Sequence, residues 1–203
     1  IENGNNAEVV RSLNQYFNHL VIPVFDKLIA SNDLDKIRQV LGTLKSSLPE
    51  SVITDVQERY SIKITSIIDN LCSAYTNINI GDDYEKLLKE TINFCDVIKT
   101  PFELLKPTND SFIIESYGDK IGNLILDRAI EYGNKTKQWT NSQKLCEISR
   151  SFIVGTALKE RCENNININD ANGIASLTPE KIIKKIIDVL KENIISPLKL
   201  LSS

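Results

Sequence analysis

The chain has 203 residues, 41% hydrophobic and 25% charged, with 27 acidic side chains against 24 basic ones and a formal net charge of −3. A pI near 5.4 argues against a nucleic-acid surface, which needs a basic excess, and no apolar run approaches the roughly 18–20 residues of a membrane-spanning helix. That apolar content is enough to bury the core of one large domain, or of two small ones.

The chain begins at Ile1 and contains no methionine. A translation product starts with Met, so a processed chain whose signal peptide has been removed is expected. The even number of cysteines, four, suits the same oxidising, extracellular compartment. Asn109-Asp-Ser111 and Asn134-Lys-Thr136 match the N-glycosylation acceptor pattern. The expected localisation is secreted; the competing reading is four reduced core thiols in a cytosolic protein.

Ile1 to Asn6 read as a frayed polar end. From Ala7 the apolar residues Val10, Leu13, Phe17, Leu20 and Val21 recur at helical spacing, and Pro23 either kinks this helix or opens a second through Val24, Phe25, Leu28 and Ile29. The single histidine, His19, lies here without an evident partner and is assigned no role. Asn32-Asp33 caps a short helix carrying Leu34, Ile37, Val40, Leu41 and Leu44. Ser47-Leu-Pro-Glu50 is a helix start, with cap residue, early proline and a glutamate three residues after the cap. The helix that follows, from Val52 through Tyr60, Ile64 and Ile68 to Cys72, reads as a central core helix.

Asn77 to Gly81 breaks the pattern, and Asp82-Asp83-Tyr84-Glu85 supplies the negative charge that suits the next helix N-terminus. That helix presents Leu87, Leu88, Ile92, Cys95 and Ile98. Pro101 and Pro107 bracket a connector, and about Asp110 to Tyr132 is helical again through Phe112, Ile113, Tyr117, Ile121 and Ile125. Gly133 to Ser142 is expected to be a loop around Trp139, the only tryptophan. Another helix carries Leu145, Cys146, Phe152 and Leu158 to Cys162; Glu163 to Gly173, rich in asparagine, is expected to be irregular. Thr178-Pro179-Glu180 starts a last helix. With no strand alternation of useful length, the expected fold is an all-α, disulfide-stabilised bundle of about seven helices. It forms one domain over 1–203, with halves of about 1–106 and 107–203 as the alternative.

Four cysteines allow three connectivities. On an unbroken helix Cys146 and Cys162 would lie about 24 Å apart, far beyond the roughly 7 Å a disulfide tolerates between Cα atoms. Local pairing therefore needs a break, for which Gly155 is the best place. Cys72 and Cys95 lie on successive helices and can be joined across that hairpin; links between the two halves remain open. Long spacings and one distant histidine do not suit a metal site, and no CxxC suggests redox chemistry. No cofactor is expected.

Cys72, Tyr84 and Cys95 form a Cys–Tyr–Cys series that Cys146, Phe152 and Cys162 echo with Phe152 in place of tyrosine. The pattern, confined to residues 72–162, resembles the paired Cys–Tyr–Cys arrangement of the BICYCLE secreted proteins of aphids. That resemblance implies a salivary protein delivered into plants, acting as an effector rather than a catalyst.

One histidine leaves no room for a His-dependent triad with metal ligands, and neither GxxxxGK[ST] nor GxGxxG occurs. The expected function is therefore binding of a host or other protein partner, without catalysis. Trp139 is the candidate interface residue, since aromatic residues in polar loops anchor interfaces. The alternative is lipid carriage or membrane attachment through the last helix, where Ile182, Ile183, Ile186, Ile187, Val189, Leu190, Ile194 and Ile195 are interspersed with Lys181, Lys184, Lys185 and Lys191. A carrier would hold unfilled apolar volume, whereas an interaction protein would have a dry core.

Overall fold

In the computed structural model, residues 2–31, 33–47, 50–108 and 110–191 are described, and all regular structure among them is helical. Eight α-helices follow in chain order: α1 (Glu2–Ser31), α2 (Leu34–Ser47), α3 (Glu50–Thr76), α4 (Tyr84–Leu105), α5 (Ser111–Thr136), α6 (Trp139–Phe152), α7 (Thr156–Ala175) and α8 (Pro179–Leu190). A single 3-10 turn, Lys106–Thr108, joins α4 to α5.

Most helix starts are written in the sequence. Asp33 accepts from the Lys36 backbone N–H at 3.1 Å, Asp83 from Lys86 at 2.9 Å and Asp110 from Ile113 at 3.0 Å, each satisfying a donor that has no partner inside its helix. Thr178 and Pro179 open α8 as expected. Between α3 and α4 the turn passes through Gly81 at φ +56°, a conformation that glycine adopts without strain. Leu48 and Pro49 of the proposed α3 cap lie outside the described residues.

Four expectations about the elements need correction. Helix α1 starts at Glu2 rather than Ala7; of the two readings of Pro23 it follows the one in which a single helix continues past it, at the cost of one backbone hydrogen bond. Likewise α4 runs through Pro101, and only Pro107 falls in a connector. The stretch Gly133 to Ser142 is mostly helix: α5 continues to Thr136, Lys137 ends it at φ 59°, and α6 begins at Trp139. Glu163 to Gly173 is helical throughout α7. The side chains of α7 that meet the body include Leu158, Cys162 and Ile166, which join the second core cluster, and Asn165, Asn169 and Asn172 beside them. Asparagines supply about half of this face, which weakens its apolar signal.

Successive helices pack on one another from α3 to α7. The first core cluster gathers Ile37 and Leu41 of α2 with Tyr60, Ile64 and Ile68 of α3, Phe94, Ile98 and Phe102 of α4, and Ile121 and Ile125 of α5. The second gathers Leu126 and Ala129 of α5 with Leu145, Cys146, Ile153 and Cys162. Helix α5 therefore contributes to both. The buried tyrosines are paired: the Tyr60 hydroxyl donates to the Leu104 carbonyl at 2.7 Å, and the Tyr75 and Thr91 hydroxyls meet at 2.7 Å beside a stacked Tyr75–Phe94 pair.

The closest approach is between α5 and α6, which run antiparallel. A Cβ on Gly118 would lie 2.5 Å from the Phe152 carbonyl oxygen, and one on Gly122 would lie 2.3 Å from Ile153. Ser149 donates to the Gly122 carbonyl at 2.7 Å and Ser142 to the Ala129 carbonyl at 2.8 Å, filling the seam with hydrogen bonds that need this short separation.

The disulfide framework expected from the even cysteine count is not present. All four cysteines are free and buried, and helix packing holds the bundle together.

Gly118→Ala is expected to lower stability by about 1–3 kcal/mol, because backbone must move to admit the methyl group. Gly42→Ala, on an open face of α2 with nothing within 4 Å, should raise stability by up to about 1 kcal/mol. Urea unfolding of the two variants checks both signs.

Candidate functional site

The two cysteine pairs occupy different surroundings. Cys72, near the end of α3, borders a hollow of about 350 Å³ with Lys120, Asn123 and Leu124 of α5. Cys95, in the middle of α4, borders another of about 340 Å³ with Ile148, Ser151 and Phe152 of α6. Both belong to one core cluster, and each adjoins a different helix through its hollow. Cys146 and Cys162 are much closer: the chain breaks at Ile153–Gly155 as local pairing required, and the Cys162 thiol donates to the Cys146 carbonyl oxygen at 3.2 Å. The Asn169 amide donates to the Cys146 sulfur at 3.5 Å.

Each Cys–aromatic–Cys triplet straddles a helix hairpin, α3–α4 or α6–α7, with the aromatic at the junction. The placements differ in detail: Tyr84 opens α4 half-buried, whereas Phe152 closes α6 in the core, tilted against Phe102.

Burial pushes all four thiols above their ordinary value, Cys95 and Cys146 up to about 12. For Cys146 the neighbouring Cys162 adds to the effect and the Asn169 hydrogen bond partly offsets it. Burial likewise raises the Tyr75 hydroxyl to about 12, against the opposing Thr91 hydrogen bond. A thiol held protonated is a poor nucleophile and a poor metal ligand. Among the described residues no three of His, Cys, Asp and Glu group as a metal site.

The α6–α7 turn is fixed from α5. One Asp119 carboxylate oxygen accepts from the backbone N–H of Val154 and of Gly155, each at 2.9 Å, at the start of α7. One and two turns on, Asn123 and Asp127 accept from the Arg161 guanidinium at 2.6 Å each.

Trp139 is half-buried at the first turn of α6, beside Gly133 and Gly173 and with the Lys137 ammonium 5.3 Å from its ring, so much of the indole is spent on packing. Asn134 is exposed but lies within α5, not on a loop, and its sequon partner Thr136 donates to the Tyr132 carbonyl. Asn109 lies outside the described residues, and His19 is exposed on α1.

A groove of about 520 Å³ between α3 and the start of α5 is the hollow best placed to receive a partner. Gln57, Ser61, Ile62 and Thr65 form one wall, and Asp110, Ile113 and Tyr117 the other. The Gln57 amide nitrogen is buried there with no hydrogen-bond partner among the described residues. Tyr117 donates to Asp69, which also pairs with Lys120 at 2.6 Å, so the far end is held by charge-assisted bonds. Ile62 stands 60% exposed on the groove wall, and Phe112, next to the wall residue Ile113, is 80% exposed. Phe112 was expected in the apolar stripe of α5. Counting three, four and seven residues from it reaches Glu115, Ser116 and Asp119, all polar, and this was the available signal that it faces outward.

No protein-family model matches the chain, and no curated protein or solved structure matches it either.

Unfolding free energy is expected to hold up to about pH 8.5 and to fall as pH rises from there toward 12. The folded chain keeps thiol and phenol protons that the unfolded chain releases near their ordinary values. Urea unfolding at pH 7, 9 and 10.5 measures the decline.

Proposed function

We propose that this protein acts by binding a protein partner, without catalysis, and that the α3–α5 groove is where it does so. The observation that carries the reading is the combination there of exposed Ile62 with a buried Gln57 amide nitrogen that has no hydrogen-bond partner among the described residues. A partner strand or loop that covers Ile62 and draws the Gln57 amide onto one of its carbonyl oxygens offsets both liabilities at once. The groove is open and mixed in character, and the hollows beside Cys72 and Cys95 are open as well. A lipid carrier would instead enclose apolar volume, so these shapes favour the interaction reading over carriage.

Secretion and an effector role belong to the same proposal. Their support is the resemblance of the paired Cys–aromatic–Cys series to the BICYCLE proteins, now with both series straddling helix hairpins.

Native mass spectrometry of unreduced protein secreted by eukaryotic cells is expected to show a chain free of lipid. A lipid-sized adduct lost on denaturation would establish the carrier instead. With a partner in hand, Ile62→Ser should weaken binding at least tenfold while leaving the melting temperature within about 2 °C, since surface substitutions change stability little. Unchanged binding would remove the groove from the proposal.

A further inference from the structure

Among the described residues no helix of the body makes an extensive contact with α8, and a short link, Ser176–Thr178, joins it to α7. Ile183, Ile186 and Ile187 are 58%, 54% and 44% exposed, although three and four residues apart they share one helix face. Lys181, Lys184 and Lys191 are exposed on the same short element. Between Pro179 and Lys191 four lysines face two acids, Glu180 and Asp188, in a chain whose net charge is −3. The segment is thus locally basic within an acidic protein.

We infer that α8 is a docking helix for an anionic lipid surface, lying in the plane of the membrane interface with its isoleucine face inward and its lysines at the headgroups. Two features select this occupant. The charge is complementary to an anionic leaflet and opposed to the acidic body, so the same chain's surface is a poor cover for it. A second copy of α8 is also a poor cover. The 12 described residues of α8 span about 18 Å, and pairing two such faces over that span buries on the order of 400 Å², well under the roughly 1,200 Å² of a stable interface. A lipid interface that takes up the apolar face stabilises such a helix. No described helix is long and apolar enough to cross a membrane, so attachment here is peripheral. The inference does not depend on the α3–α5 groove.

The test is co-sedimentation of the full chain with vesicles of phosphatidylcholine containing 30% phosphatidylserine, beside vesicles of phosphatidylcholine alone. Binding to the anionic vesicles is expected to be at least tenfold tighter and to fall steeply in 0.5 M salt. Ile183→Ser with Ile187→Ser should abolish it, and Lys184→Glu with Lys191→Glu should weaken it about tenfold or more, both with unchanged melting temperature. The inference is overturned if anionic vesicles leave the protein in solution, or if they carry down the variants as well as the parent. Sedimentation velocity covers the remaining case: self-association removed by the isoleucine substitutions, without vesicle binding, would make the face a contact between copies and overturn the inference equally.

Discussion

The short distance between α5 and α6 is the constraint from which much of the structure follows. Gly118 and Gly122 let the backbones meet, and Ser142 and Ser149 bond across the gap to carbonyls that would otherwise be occupied only within α5. Once α6 is seated at this depth, Phe152 reaches Phe102 of α4, and Ile153 closes the second core cluster. The chain then turns at Val154 and Gly155, where the Asp119 carboxylate occupies the space a side chain on residue 155 would need. Helix α5 is in this sense the common wall of the bundle: one side meets α3 and α4, another receives α6, and its Asp119–Asn123–Asp127 row holds α7.

This arrangement also governs the cysteines. Core positions on adjacent helices bring thiols near one another for packing reasons alone, and burial then keeps them protonated and unreactive. Cys146 illustrates the balance: it lies in the hairpin core, receives the Asn169 amide, and touches the residue with which it would pair. An even count and helical spacing therefore speak to proximity more directly than to bonding.

The helices were largely legible where a capping carboxylate precedes a wide apolar stripe, as it does in α2, α4 and α5; Asp83 before Leu87, Phe94 and Ile98 is the clearest instance. Legibility failed where polar residues do the packing. Asparagines share the inner face of α7 with Leu158, Cys162 and Ile166, and serine and glycine fill the seam of α5 and α6, so hydrophobic periodicity has less to register there. The loop expected around Trp139 disappeared for a related reason: Gly133 is not a turn residue but a point of close contact with Ser142. The groove was less legible still, since Gln57 and Ile62 become neighbours of Ile113 and Tyr117 only once α3 and α5 have docked.

The order of the helices has a kinetic meaning. From α3 onward, nearly every substantial contact joins elements adjacent along the chain. Such low contact order spares the chain the loop-closure cost that slows non-local folds. Hairpins can therefore form one after another as the polypeptide emerges, and α5, the wall shared by both clusters, is complete before α6 and α7 require it.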